Sequence, residues 1–372
     1  MPTMTEAATH PLATCAVPLL VLPTDPADGP PRLDQSTCDL WARAEAGLQE
    51  LLVVLESSGG AQVDKRFDRT QELMDALGRQ LAASAGYPNA KALPPPVQVH
   101  SDYFRVRHAP LSAEQQAAQA IANVYRTLAD LRYARLEIND VLAELASMRT
   151  VLERLRPQAS EVAQVATASN EAWFVPTGDW LDRWFLVHHF YFLLNVHAKD
   201  ELRAAARAAT QGSSREAATR LSLAASYIRG FTAAMIHSGA MPARYYREVV
   251  RPTMAPPFVE ISLSGVMQVE HRRYRAALDE VLQALPQPFA QLSATDRLLA
   301  AARDEVLEAD LLDLERHVTI AAVLVDGDRS LVQPGTTAQN STSTLRKMRH
   351  LRAARYCPLM QFGDQWISRT IR

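Results

Sequence analysis

The residue best suited to chemistry is a histidine inside a long apolar stretch. His317 lies in LLDLERHVTIAAVLV, between Leu314 and Val318. A neutral imidazole is a good axial ligand for haem iron, and apolar neighbours can form the wall against the porphyrin face. Asp313, one helical turn earlier, is placed to orient the other ring nitrogen. On spacing alone, a core histidine that hydrogen-bonds Asp313 is the commoner explanation.

The second candidate is a pair of adjacent histidines in a predicted helix that is apolar nearly all round. His188 and His189 stand among Trp184, Phe185 and Phe192. Adjacent helix positions point about 100° apart, so at most one of the two histidines faces a given pocket. A buried histidine in an aromatic wall can act on bound oxygen or substrate as a base or hydrogen-bond donor. A packed histidine with satisfied hydrogen bonds is the alternative.

Other candidates lie in more polar surroundings. His271, in MQVEHRRYRAAL, fits either a ligand or a surface position. Arg247 and Arg251, in RYYREVVRP, offer a planar guanidinium group that suits a substrate carboxylate. The uncharged, hydroxyl-rich stretch GTTAQNSTS over 335–343, which includes Thr336, suits an ammonium group. Each of these patterns is also common in helices and loops without a ligand.

Composition excludes several classes of protein. Lys plus Arg number 39 and Asp plus Glu 41, which argues against a basic nucleic-acid-binding protein. The three cysteines, Cys15, Cys38 and Cys357, have no paired spacing, so neither a disulfide framework nor a zinc site is expected. We find no basic leader and no apolar run long enough to cross a membrane. A cytoplasmic protein that binds no membrane is therefore the expectation.

The fold that must position these residues is expected to be all-α. Glycine is scarce, at 14 of 372 residues, and apolar residues recur at helical spacing along most of the chain. We expect a loosely ordered arm over 1–35, an N-terminal helical subdomain with a proline-rich loop over 36–110, and a single large helical body over 111–372. The predicted helices span about 36–58, 66–85, 112–156 with a bend near 139–140, 158–170, 180–210, 213–239, 243–251, 264–284, 296–326 and 345–355. The residues over 87–111 are expected to form a loop, Ser112 and Gln115 a capping box at the start of the next helix, and the apolar helix over 180–210 the centre of the body.

Three phrases occur in an order that resembles a known haem superfamily. PARYYREVVRP, LERHVTIAAVLV and GTTAQNSTSTL, over roughly 180–350 with the preceding FLVHH, are similar to segments of tryptophan 2,3-dioxygenase and its indoleamine dioxygenase relatives. The resemblance implies an all-α, tryptophan-dioxygenase-like body. It places His317 as the proximal iron ligand, His189 as the distal histidine, Arg247 on the substrate carboxylate and Thr336 on the ammonium group.

Departures from that pattern resemble a divergent branch, which includes the rearranging haem enzyme of pyrrolnitrin biosynthesis and the haem-dependent tyrosine-type hydroxylases. Some members of this branch attach haem through a cysteine four residues after the ligand, where this chain has Ala321, so non-covalent haem b is expected. One member has a second axial histidine, which His271 matches by position. The resemblance therefore leaves the distal residue open between His189 and His271.

The expected function is a haem-dependent oxygenase, a dioxygenase or hydroxylase, acting on an aromatic amino acid such as tryptophan or tyrosine in secondary metabolism. Its partners would be the small aromatic substrate and dioxygen or peroxide, and its relatives often form homo-oligomers. Trp184, Phe185 and Phe192 would pack the substrate ring. Two alternatives stay open: a non-haem di-iron oxygenase with Asp313 and His317 as ligands, and a helical interaction protein without a cofactor.

Overall fold

The computed structural model describes residues 12, 15–57, 60–82, 91–161, 173–325 and 341–368. Across these residues the chain is mostly helical, with only short strands, which confirms the all-α prediction. The helices are α1 Gln35–Glu56, α2 Gly60–Ala82, α3 Pro95–Tyr103, α4 Ala113–Leu131, α5 Ile138–Arg154, α6 Trp180–Thr210, α7 Ser214–Ser238, α8 Ala243–Tyr245, α9 Val269–Ala284, α10 Phe289–Thr295, α11 Arg297–Val325, α12 Ser341–Tyr356 and α13 Gly363–Ser368.

Two short parallel sheets supplement the helices, although the sequence showed no strand pattern. β1, Leu20–Pro23, pairs with β3, Val106–Ala109, and β2, Arg32–Leu33, pairs with β4, Gln158–Ala159. The side chains of β1 are buried. The described part of the expected N-terminal arm thus contributes to the core.

Three predicted segments differ from the structure. The helix expected over 112–156 begins with the predicted capping box of Ser112 and Gln115, but it ends at Leu131 and α5 starts at Ile138. The stretch expected as a loop over 87–111 contains α3 and β3. The short helix expected over 158–170 is replaced at its start by β4, and the rest of it lies outside the described residues.

α6 is the central helix. It packs on α4, α7 and α9, and its side chains from Trp184 to Ala198 are all buried. Its Asp179 N-cap accepts hydrogen bonds from the first-turn amides of Leu181 and Asp182, which fixes where the helix begins. Because a helix hydrophobic on every side must be enclosed, this packing confirms the central position predicted from its sequence.

A fully buried group of charges links α4, α5, α6 and α7. His237 places Nε2 3.0 Å from Asp130 and Nδ1 3.1 Å from Glu144. Arg183 Nε donates to the same oxygen of Asp130 at 2.6 Å. Burial alone would lower the pKa of His237, but the charges of the two carboxylates and their hydrogen bonds outweigh it and raise that pKa to about 9.

A search of the described helices for one long and apolar enough to cross a membrane finds none.

Candidate active site

Three histidines from three helices lie near one another, and the region between them is the shared interior. They are His188 on α6, His271 on α9 and His317 on α11. Burial lowers the pKa of His188 and of His271 to about 3, and the charge of His317 lowers both further. His317 is therefore within electrostatic reach of both rings, and the two buried imidazoles are neutral at pH 7.

The ring nitrogens of two of these histidines are in the state that a metal ligand requires. His188 Nδ1 donates to the Trp184 carbonyl at 2.5 Å, and His317 Nδ1 donates to the Asp313 carbonyl at 2.8 Å. The Asp313 carboxylate lies 3.5 Å from the same nitrogen of His317. Because Nδ1 donates to a carbonyl in both rings, Nε2 is the nitrogen that a neutral ring would offer to a metal ion.

His189 points away from this interior. Its Nε2 donates to the Phe104 carbonyl at 2.6 Å, and burial, followed by the charges of Arg126 and Arg105, lowers its pKa to about 3. The structure thus does not bring His189 together with His317. His188, one helix position earlier, takes the place on the shared interior, as expected for adjacent positions about 100° apart.

The predicted aromatic wall converges on a ring that the sequence did not single out. Trp184, Phe185 and Phe192 lie 6.3, 6.0 and 5.3 Å from Phe104, measured between ring centroids. Phe104 also stacks on His188 at 4.8 Å. It belongs to the aromatic and basic stretch HSDYFRVRHAP, whose composition was the only signal for it.

A fourth histidine joins this wall from α3. His100 lies 4.9 Å from Phe104 and 6.2 Å from Phe192, measured between ring centroids. Burial lowers its pKa to about 4, against the opposing effect of Glu270. Glu270, beside His271, is itself buried and lies 2.5 Å from His108 Nε2. Sequence reasoning missed this polar edge of the site because its members lie far apart in the chain.

The two candidate arginines lie in different environments. Arg247 is exposed, whereas Arg251 is 6% exposed. The charge of Arg251 acts on the buried Tyr246 hydroxyl, and the Tyr246 ring lies 5.6 Å from Trp184. Arg251 is therefore the buried arginine of the two. Thr336, the predicted ammonium contact, lies outside the described residues.

A buried carboxylate holds a cationic group beside His271. Asp310 accepts hydrogen bonds from Tyr274 at 2.8 Å, Tyr356 at 2.9 Å and Arg275 at 2.5 Å. Burial raises the pKa of Asp310, but Arg275 and Arg352 outweigh it and leave that pKa far below its usual value. Because both arginines also lower the pKa of His271, the group carries positive charge to the edge of the site.

This donor set fits haem better than a bare metal ion. The imidazoles of His188, His271 and His317 lie near one another beside aromatic rings, which is the kind of surrounding a porphyrin needs. Within the described ranges, no group of three or more His, Cys, Asp or Glu side chains is arranged to hold an ion. Among the described residues, Asp313 and His317 therefore lack the further ligands that the di-iron alternative would require.

Comparison with known proteins gives one family and one structure. Residues 21–306 match the model of a family described as SfmD 3-methyl-L-tyrosine peroxygenase. The match includes His188 and His271 and ends before His317. A crystal structure of reduced SfmD, soaked with sodium hydrosulfite, aligns with 77% of this chain and 97% of that chain at 20% identity and a TM-score of 0.43. No curated protein matches the chain.

Proposed function

Because the chain belongs to the SfmD 3-methyl-L-tyrosine peroxygenase family, and is therefore an oxidoreductase, we propose that it hydroxylates the ring of a tyrosine-type amino acid with haem iron and peroxide. The observation that carries the proposal is the convergence of His188, His271 and His317 on one aromatic-lined interior. Neither the comparisons nor the geometry favour tryptophan or ring cleavage by dioxygen.

In this proposal, His317 and His271 are the residues that would hold haem iron, through Nε2. Bound haem would supply the activation of peroxide that a peroxygenase needs. Arg275 and Arg352, the cations beside His271, are the partners for the haem propionates. Ala321, the fourth residue after His317, has no thiol, so the haem is bound without a thioether.

The substrate is held by residues on the His188 side. Its ring packs against Phe104, Trp184 and Phe192, and its carboxylate pairs with Arg251. Arg251 replaces Arg247 in this role because a desolvated guanidinium pairs with a carboxylate more strongly than a solvated one. Contact of the ammonium group with Thr336 stays a prediction.

His188 is the residue that handles the oxidant. Its free Nε2 accepts a hydrogen bond from the peroxide O–H, because its Nδ1 proton is held by the Trp184 carbonyl. In the net reaction one peroxide oxygen enters a ring C–H bond as hydroxyl, and the other leaves as water. No external reductant is needed for that balance.

Absorption spectra and a labelled-oxygen assay test the proposal. We expect a Soret band from the purified chain, loss of most haem in His317→Ala, and retained haem with lost hydroxylation in His188→Ala. His197→Ala is the matched control, since His197 is buried elsewhere on α6. With 3-methyl-L-tyrosine and ¹⁸O-peroxide, the product should gain one labelled oxygen. Purified protein without haem, or label arriving only from dioxygen, would overturn the proposal.

The carboxylate assignment has its own test. Loss of one partner of a desolvated charge pair costs about 2–5 kcal/mol, or roughly 30- to 4000-fold in affinity. Arg251→Leu should weaken binding of 3-methyl-L-tyrosine accordingly in a Soret titration, whereas the exposed Arg247→Leu should change it little. A decarboxylated analogue should bind both variants and the native chain alike. If Arg247→Leu weakens binding and Arg251→Leu does not, the carboxylate pairs with Arg247.

A further inference from the structure

Tyr191 connects the surroundings of two candidate iron ligands. It is a buried residue of α6, and its hydroxyl lies 3.3 Å from His271 Nδ1. The carboxylate whose charge acts most strongly on that hydroxyl is Asp313, which also lies 3.5 Å from His317 Nδ1. The Tyr191 phenol therefore contacts the His271 ring and lies within electrostatic reach of Asp313, the carboxylate beside His317.

We propose that Tyr191 is a positioning residue that holds the proton of His271 on Nδ1 and so keeps Nε2 free for iron. The negative charge of Asp313 attracts the phenol proton, which leaves an oxygen lone pair of the 3.3 Å contact to accept from His271 Nδ1. An imidazole whose Nδ1–H has a fixed acceptor has one tautomer and one ring orientation. His188 and His317 obtain the same effect from backbone carbonyls, whereas His271 depends on a side chain.

Replacing that side chain should loosen one axial ligand without removing the other. This inference rests on the proposed haem function, with His271 and His317 as the iron ligands. A typical protein hydrogen bond is equivalent to about a fivefold change in an equilibrium constant. Tyr191→Phe should therefore lower the ratio of six-coordinate low-spin to five-coordinate high-spin iron by about fivefold, while haem content stays normal.

The test compares the native chain with four variants by absorption and electron paramagnetic resonance. Tyr227→Phe is the matched control, because Tyr227 is also a buried tyrosine and donates to the Thr150 carbonyl away from the three histidines. His271→Ala should abolish the low-spin form, and Tyr191→Phe should add nothing to it in the double variant. A native low-spin ratio in Tyr191→Phe, or an equal loss in Tyr227→Phe, would overturn the inference.

Two further results separate this inference from the proposed function. If the native chain binds no haem, or His271→Ala leaves the spectrum unchanged, the haem assignment itself has failed. If Tyr191→Phe does not fold, ¹⁵N-histidine NMR of the reduced, low-spin native protein gives the tautomer directly, with the His271 signal identified by its loss in His271→Ala. A proton on Nδ1 supports the inference, and a proton on Nε2 overturns it.

Discussion

The buried charge group around His237 should make the stability of the protein fall at alkaline pH. Asp130 and Glu144 face the two ring nitrogens of His237, and both nitrogens must carry protons to donate to them. The pKa of His237 is about 9 in the folded chain, against 6.5 for a free histidine side chain. Folding therefore favours the charged form of His237. The charge makes its full contribution to the free energy of unfolding below pH 6.5, and this contribution is lost as the pH rises through 9.

The size of the effect follows from the shift. A shift from 6.5 to about 9, at 1.36 kcal/mol for each pKa unit, corresponds to about 3 kcal/mol of unfolding free energy. His237→Gln removes the group that titrates. The variant should lose several kcal/mol at pH 6, because two buried carboxylates then keep only Arg183 as a cation. It should also lose the decline of stability between pH 6.5 and 9.

Urea unfolding at pH 6, 7.5 and 9 measures both quantities. His197→Gln is the matched control, since His197 is buried but burial keeps its pKa far below 6.5, so it stays neutral over this range. The control should be destabilised at every pH and keep the alkaline decline of the native chain. A His237→Gln protein whose unfolding free energy declines as steeply as the native one would refute the assignment of the charge to His237.

Three further changes have measurable outcomes. Gly230→Ala forces a Cβ into Ser147 on the facing helix and should cost about 1–3 kcal/mol of stability in thermal unfolding; an unchanged Tm would show that the helices separate freely. Tyr274→Phe removes one hydrogen bond to buried Asp310 and should cost about 1.5 kcal/mol in urea, whereas no loss would mean that water replaces it. Ala321→Cys should leave part of the haem on the chain after acid–acetone extraction, and complete extraction would contradict the proposed haem position.

Local patterns predicted those parts of the fold that short segments determine. The capping box of Ser112 and Gln115 depends on four consecutive residues, and the structure has it. The break after Leu131 was missed because the residues over 132–137 include no proline or glycine and their helix propensity is ordinary. Helix propensity is a weak preference that packing overrides. The β1–β3 pairing was missed because its strands lie far apart in the chain, where no local pattern connects them.

The candidate site shows the same division between local and distant information. The spacing of His188 and His189 predicted that at most one faces a given pocket, and in the structure the two rings have different neighbours. Which of the two it is depends on where other segments pack. The Phe104 carbonyl, which accepts from His189, and the Phe104 ring, which stacks on His188, come from a stretch expected to be a loop. Without that stretch in place, the sequence alone gives no direction for either ring.

The all-round burial of α6 explains how one helix can serve several chemical roles. Arg183 and His189 engage α4 and the end of α3, His188 borders the shared interior, and Tyr191 meets His271 on α9. A surface helix has one buried stripe and can present few such contacts. Because each position of α6 has a different neighbour, a shift of one residue would turn every side chain by about 100°. It would place one of His188 and His189 in the surroundings of the other and move the second away, so the proposed chemistry depends on the register that the Asp179 cap and the Arg183–Asp130 pair hold in place.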